Sequence, residues 1–486
     1  MLRPTFAASA AMSPDLTILL TLIVYMIALL GIGLWASWRT RDEDDFYLGG
    51  RRLGPWVAAI SANASSSSAW TLVGVSGAAY AWGLSALWLM LSVVAGMLVA
   101  WLFVAPRLRA ASEPSDLTLI DFLCGPREAP GGMRNRRIAA CIVLFSFAFY
   151  VAAQFAAAGL AFEHALGIDT TLALLVGVAI IVTYTLLGGF WAVSATDLLQ
   201  GLLMAAAAIL LPIAALIAVG GPGALYLGLT GPADAGAALT GSWQGLSAVG
   251  FVLGCLAIGT GHSGQPHVLS RFMAMGDPKM MGRAQLIGLA WITIVLLGML
   301  IVGWSGRLLL PPGAVGEGVL FGVGQSLFPS VIAGILTAAI LSAIMSTADS
   351  QLLVAASCVT HDLPRQSGGT HALTLARITV LGLSLLALLL ALYAPQSIFD
   401  RVLFAWHAVG SAFAPLVLVR LLGRSIRPTV ISLVLLVGSL GTIGLSLLPD
   451  MPGDWLERLA PFLLALALAW FGSQALPARL ASGVRA

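Results

Sequence analysis

Apolar stretches long enough to cross a bilayer recur along almost the whole chain. A spanning helix needs roughly 20 predominantly apolar residues, and such stretches follow one another from Leu16 to the region of Gln474 with only short breaks. Hydrocarbon offers a spanning backbone no hydrogen-bond partner but itself, so this pattern demands an all-α polytopic membrane protein. Only 9% of residues are charged, against about 25% in an ordinary soluble domain. The net charge of +3 comes without a basic stripe, which argues against a nucleic-acid partner. The bilayer is the partner implied here, and no obligate protein partner is evident.

We read about thirteen transmembrane helices: 16–38, 55–80, 84–105, 137–162, 170–188, 196–219, 244–262, 284–306, 328–361, 374–394, 399–420, 428–448 and 457–476. The first run is too long for a signal-peptide core and no cleavage site follows it, so it reads as a retained helix. Residues 1–486 are expected to form a single membrane domain without a soluble appendage. With the N-terminus outside, all of the 24 Lys and Arg residues except Arg3, Arg307, Arg401 and Arg458 fall in cytoplasmic loops. The positive-inside rule favours that orientation in a cell inner (plasma) membrane, with a cytoplasmic C-terminus. Cys124, Cys141, Cys255 and Cys358 are scattered singly, so neither a metal site nor a disulfide framework is suggested.

Two segments depart from the bland Leu, Ala, Val and Gly pattern. The second span carries Ser61, Asn63, Ser65, Ser66, Ser67 and Ser68 at mid-membrane depth. The seventh ends in Gly259, Thr260, Gly261, His262, Ser263, Gly264, Gln265 and Pro266, where three glycines and a proline make continuous helix improbable. Inverted-repeat transporters place interrupted helices at corresponding positions in their two halves, with freed backbone groups lining the sites. These segments open spans five apart, which predicts a 5+5 inverted-repeat core over about 53–222 and 243–422. The extra helices are then 16–38, 428–448 and 457–476. A plainer account is close helix packing through small residues, with hydroxyls bonding back to their own helix; it leaves His262 and Gln265 unexplained.

A third polar patch lies in span nine. Ser346, Asp349 and Ser350 fall at i, i+3 and i+4 and so share a helix face. Hard cations want such oxygen cages, and an acid inside a membrane helix is a functional candidate by default. Asp349 could equally be a structural acid, and Asp197 a charge at a helix N-terminus.

The stretches Phe46 to Gly54, Leu187 to Asp197, Gly264 to Met273, Met345 to Thr347 and Phe404 to Pro415 occur in the order found in the sodium/solute symporter family. The chain resembles that family over nearly its full length, and most closely its proline-carrying members. The resemblance implies a leucine-transporter-like fold with sodium held by Ala64, Ser67, Ala343, Ser346 and Thr347. It places a possible second cation site at Asp197, Ser346, Asp349 and Ser350, and solute beside Ser68, Trp70, Tyr150, Gln265 and Pro266. The family's aromatic pocket pair maps to Ile258 and His262, and Ser66 stands where proline carriers have Asp.

The expected function is secondary active import of a small solute, with L-proline or a related amino acid first by resemblance. Sodium is the coupling ion, without a cofactor. Another small amino acid or a monocarboxylate is the alternative solute, and His262 leaves proton coupling open. From a different class, a transporter-like solute sensor is the alternative; with the chain ending soon after its last span, it would need a separate signalling partner. No HExxH or GxSxG motif points to an enzyme.

Overall fold

The computed structural model describes residues 16–37, 48–113, 115–187, 190–231, 238–311, 316–364, 372–394, 397–449 and 451–475. Residues 46–47 and 188–189 of the matching stretches lie outside them, as do the ends of the first and last expected spans at 38 and 476. The cations Arg3, Arg39, Arg41, Arg365, Arg479 and Arg485 also lie outside.

Besides the short helices Ala105–Ala111, Pro222–Thr230 and Val319–Leu327, the helices of the described residues are α1 (Leu16–Ser37), α2 (Pro55–Ser66), α3 (Val75–Trp82), α4 (Leu87–Leu98), α5 (Leu119–Cys124), α6 (Gly132–Leu166), α7 (Thr170–Leu187) and α8 (Phe190–Ala218). There follow α9 (Gly245–Ala257), α10 (Pro266–Met273), α11 (Met281–Leu309), α12 (Ser330–Ser357), α13 (Ala372–Tyr393), α14 (Ile398–Leu421), α15 (Pro428–Leu445) and α16 (Trp455–Phe471). A short antiparallel pair, Arg424–Ile426 with Ser473–Ala475, ties the end of α14 to the end of α16.

Among the described residues, ten helices are long and apolar enough to cross a membrane. The expected count of about thirteen is not reached on that criterion. The apolar helix Thr170–Leu186 is shorter, α2 is cut off by a break, and α16 has only 17 residues.

Two of the expected spans are broken. Pro55 starts α2, where its missing N–H costs nothing, and α2 stops at Ser67, whose φ of −93° and ψ of 76° leave the helical region. Helix resumes through a π turn, Trp70–Gly74, into α3, which ends at Gly83 with φ 62°. The second broken span runs through α9 into a tight 3-10 stretch, Ile258–Gly264, then an extended Gln265. Pro266 restarts it as α10. The two broken spans meet at the basic end of the bundle, where Leu53 N–H donates to Ala274 O at 3.2 Å and Gly276 N–H to Leu53 O at 3.1 Å. α12 and α14 are buried almost throughout, whereas α1 and α13 leave most of their surface outside the fold. The third polar patch, Ser346 to Ser350, therefore sits on one of the most enclosed helices.

Candidate functional site

The last carbonyls of any helix lack a partner within it. At the end of α2 they meet hydroxyls from α12: Ser346 Oγ donates to Ala64 O at 3.0 Å and lies 3.3 Å from Ala343 O, and Thr347 Oγ1 donates to Ser65 O at 3.0 Å. Ala64, Ala343, Ser346 and Thr347 thus converge at the break. Ser67 forms the break itself; its amide and Ser66 Oγ both donate to Asn63 O, at 2.8 and 3.0 Å. Beyond the break the exposed amide of Ala69 is met by Gln154 Oε1 from α6 at 3.1 Å, and that of Trp70 by Ser68 Oγ at 3.1 Å. Tyr150, one turn before Gln154 on the same face, donates to Ser68 Oγ at 3.3 Å.

The second break is held differently. Gln265 Nε2 donates to Trp406 O at 3.0 Å and to Gly261 O at 3.3 Å, and Trp406 Nε1 donates to Ile258 O at 3.1 Å. His262 has Nδ1 3.2 Å from Gly259 O, and its ring meets Trp406 edge-on at 4.7 Å. Gly261 lies against the Trp406 indole with no room for a Cβ, and a Cβ on Gly264 would stand 2.6 Å from the Ala414 nitrogen. The broken helix therefore rests backbone-first on α14. Tyr150 approaches Trp406 at 6.4 Å, which joins Ser68, Tyr150, Ile258, His262, Gln265 and Pro266 into one region between the breaks. Trp70 leaves this group and leans on Phe399, 5.6 Å away.

The second expected cation set is only partly assembled. Asp197 Oδ2 accepts from Ser61 Oγ at 2.6 Å, Ser65 Oγ at 3.2 Å and Arg271 Nη2 at 3.3 Å. Arg271 Nη2 also donates to Ser350 Oγ at 2.6 Å, so its guanidinium stands between Asp197 and Ser350. Arg271 was expected in a cytoplasmic loop and is instead fully buried, with Nη1 bonded to His267 O at 2.6 Å and the Phe190 ring beneath it. A buried charge needs a partner and full hydrogen bonding, and here four helices supply both. Asp349 turns away to Thr185 on α7. At 100° per residue, Asp349 and Ser350 diverge enough to face different neighbours despite the shared i, i+3, i+4 face.

A separate cluster closes the basic end. Thr118 and Asp121 form a capping box on α5, Arg136 Nη1 donates to Asp121 Oδ1 at 2.5 Å and His361 Nε2 lies 2.8 Å from Asp121 Oδ2. Burial alone would raise the Asp121 carboxyl, but His361 and Arg136 hold it well below the usual carboxylate range. Asp121, His361 and Asp362 are close enough to share a metal ion, and the Arg136 guanidinium stands among them, bonded to Asp121 and 3.6 Å from Asp362.

Gln154, Trp406 and the inward course of Arg271 were not anticipated as parts of the site. Gln154 had one available signal, an amide one turn from Tyr150 in an apolar helix.

Two broken helices crossing near one depth, with oxygen donors at one break and aromatic and amide groups at the other, define a secondary transporter of the five-plus-five inverted-repeat fold. Among solved structures the chain is similar to a sodium-coupled sialic acid symporter, with a TM-score of 0.77 at 20% identity over 95% of this chain and 99% of that one. It is also similar to Mhp1, a nucleobase-cation-symport-1 family transporter, with a TM-score of 0.56 at 14% identity over 90% and 97%. The family model described as the sodium:solute symporter family matches residues 46–425. The osmoregulated proline transporter OpuE of Bacillus subtilis is 39% identical over 84% of this chain and 84% of its own length. A sodium/proline symporter of Staphylococcus aureus is 33% identical over 81% and 79%. The chain belongs to the sodium:solute symporter family and is a sodium-coupled solute transporter.

Proposed function

We propose that the chain imports L-proline, or a closely related small amino acid, together with sodium across a cell inner membrane. The observation that carries this reading is the convergence of the Ala64 and Ala343 carbonyls with the Ser346 and Thr347 hydroxyls at the broken end of α2. Sodium, carried as cargo, would take these oxygens and the freed carbonyl of Ser67 as its shell, turning the two hydroxyl protons away. The ion then joins α2 to α12 and sets the shape of the break. That break carries Ser68 and Trp70, so solute and ion stabilise the same arrangement; differential stabilisation of one state is what coupling requires.

Ser68, Tyr150, Ile258, His262, Gln265 and Pro266 would form the solute site, with Trp70 turned away from them to Phe399. The carboxylate of a small zwitterion would replace Gln154 and Ser68 at the helix-terminus amides of Ala69 and Trp70, and its apolar part would lie on the aromatic edge of Trp406. The two repeats are taken as about 53–222 and 243–422, with the basic end, which carries Arg52, Arg109 and Arg283, in the cytoplasm by the positive-inside rule. The membrane potential then supplies about 2.3 kcal/mol per charge for each 100 mV. The set Asp197, Asp349 and Ser350 would accept a further cation only with Arg271 displaced. Sodium is favoured over protons because His262 is engaged with Gly259 and Trp406.

Uptake of labelled L-proline into proteoliposomes under inward sodium, potassium and proton gradients tests the proposal. Accumulation under sodium alone is the expected result. Equal uptake under potassium would remove the assigned ion site, and no uptake under any gradient would remove proline.

A further inference from the structure

At the basic end of the bundle, three side chains of metal-ligating type face one another from distant parts of the chain. Asp121 comes from α5, and His361, 240 positions on, and Asp362 lie just past the end of α12. There the helix widens into a π turn, Cys358–Asp362, a form that often marks functional sites. One ring nitrogen and two carboxylate oxygens lie within 4.8 Å of one another, and all three residues are buried.

Hydrogen bonds within the protein do not use this group up. Asp362 Oδ1 accepts from Thr118 Oγ1 at 2.9 Å, but Oδ2 of the same buried side chain has no hydrogen-bond partner among the described residues. A buried acceptor left in that condition costs about 1–3 kcal/mol, and more when charged. His361 Nε2 stands between neighbours with opposite demands: Asp121 Oδ2 at 2.8 Å can only accept a proton, and Arg127 Nη2 at 3.2 Å can only donate one. One ring nitrogen cannot answer both. A metal ion among the three would take the lone pair of His361 and the spare oxygen of Asp362 together. The Leu117 and Thr118 amides, each 3.0 Å from Asp121 Oδ2, hold that carboxylate in place, as the partners of metal ligands do.

An imidazole with two carboxylates suits zinc and its neighbours in the first transition row, whereas magnesium takes oxygen and water. Zinc bonds of about 2.0–2.2 Å set tetrahedral ligand atoms about 3.3 Å apart, so the 2.8 Å contact from His361 to Asp121 needs to open by only about half an ångström. Beside Asp362 a cavity of about 30 Å³, lined also by Thr118, Ser357 and Cys358, has room for a water as fourth ligand. Arg136 is the competitor: its Nη1 lies 2.5 Å from Asp121 Oδ1 and 3.6 Å from Asp362 Oδ1, with Nη2 held by Gly125 O at 2.7 Å.

We infer that Asp121, His361 and Asp362 form a binding site for a divalent transition metal, zinc by its ligand chemistry, which takes the carboxylates from Arg136 and clasps α5 to the π turn that ends α12. The site lies apart from both breaks and does not depend on which solute the chain carries.

Thermal unfolding of the full detergent-solubilised chain, free of affinity tags, tests it. Zinc should raise Tm in a saturable way and magnesium should not. His361→Gln should raise the zinc concentration that gives half the shift at least about tenfold, since even the outer-shell partner of a metal ligand is worth about 10–100-fold in affinity. Arg136→Gln should lower that concentration about tenfold, because it removes the competing charge. Cobalt in place of zinc should give the visible absorption of a four-coordinate site in the native chain and lose it in His361→Gln. The proposal is overturned by a zinc shift that is absent, that magnesium matches, or that His361→Gln leaves unchanged. It is also overturned if folded Arg136→Gln needs as much zinc as the native chain or more. Where that variant does not fold, His361→Gln and the cobalt spectrum decide.

Discussion

The two broken helices solve the same problem with opposite materials. The break after α2 is built from side chains: serines flank it, hydroxyls from α12 fill it, and Gln154 caps its far side. The break before α10 is built from backbone: glycines let it lie flat on α14, and one amide side chain, Gln265, pins it. Hydroxyl and carbonyl oxygens suit a small hard cation, while the second break packs bare backbone tightly against Trp406 and α14 and presents side-chain and ring groups, His262 and Trp406, beside it. The difference teaches that one architecture, a broken helix, can be held by side chains in one place and by backbone in another; on the proposed function the ion would draw on the first break and the solute mainly on the second.

That division can be broken experimentally. The largest effect is expected from Ser346→Ala combined with Thr347→Ala, which strips two ligands from the first break. Sodium half-activation should rise at least about tenfold, while the solute KM at saturating sodium moves by no more than about threefold. A change confined to solute KM would erase the division. Next comes Gly261→Ala, whose new methyl enters the Trp406 indole. Overpacking of that kind costs about 1–3 kcal/mol, so maximal uptake should fall about tenfold with sodium half-activation unchanged. Gln265→Ala removes two hydrogen bonds from the second break and should raise the solute KM about fivefold. Ser66→Asp sharpens the comparison from the other side: a carboxylate near the first break should lower sodium half-activation about threefold and leave solute KM alone.

A control lies outside both breaks. Asp121→Asn at the basic end should lower Tm by about 1 °C, as loss of about 1 kcal/mol does in a chain of this length, with neither sodium half-activation nor KM affected. Because the native Asp121 carboxyl is held below its unfolded value, its contribution is complete at neutral pH and is lost as pH falls through and below the ordinary carboxylate range. A thermal scan across that range should show the native protein losing its advantage over the variant.

The breaks were legible in the sequence because they are compositional: Gly259, Gly261, Gly264 and Pro266 together disfavour continuous α-helix, and a run of serines does not belong at mid-membrane without cause. The grouping of Ser346 and Thr347 with Ala64, Ser67 and Ala343 comes from family likeness, and the bond from Thr347 to Ser65 O was not foreseen. Pairings between distant helices were not legible. Arg271 reads as one more inner-loop cation until α10 turns it inward to Asp197, 74 positions earlier in the chain. Asp349 reads as a partner of Ser350 until helical rotation sends it to Thr185. The helix count fell short at α2, which a break cuts off, and at Thr170–Leu186 and α16, which are short on their own account; the second broken span still counts as a crossing helix.

The flat contact between the second break and α14 has a further consequence. Gly261 faces Gly410, and Gly264 faces Ala414, with backbone nearly touching backbone. Such a surface behaves as a bearing with one catch: the side chains that interlock across it are chiefly Trp406, Gln265 and His262, so tilting across it reshuffles few side-chain conformations and needs little local loosening of the protein. The viscosity of the surrounding lipid, rather than internal friction at this seam, should then set how fast the transporter cycles in a cooled membrane.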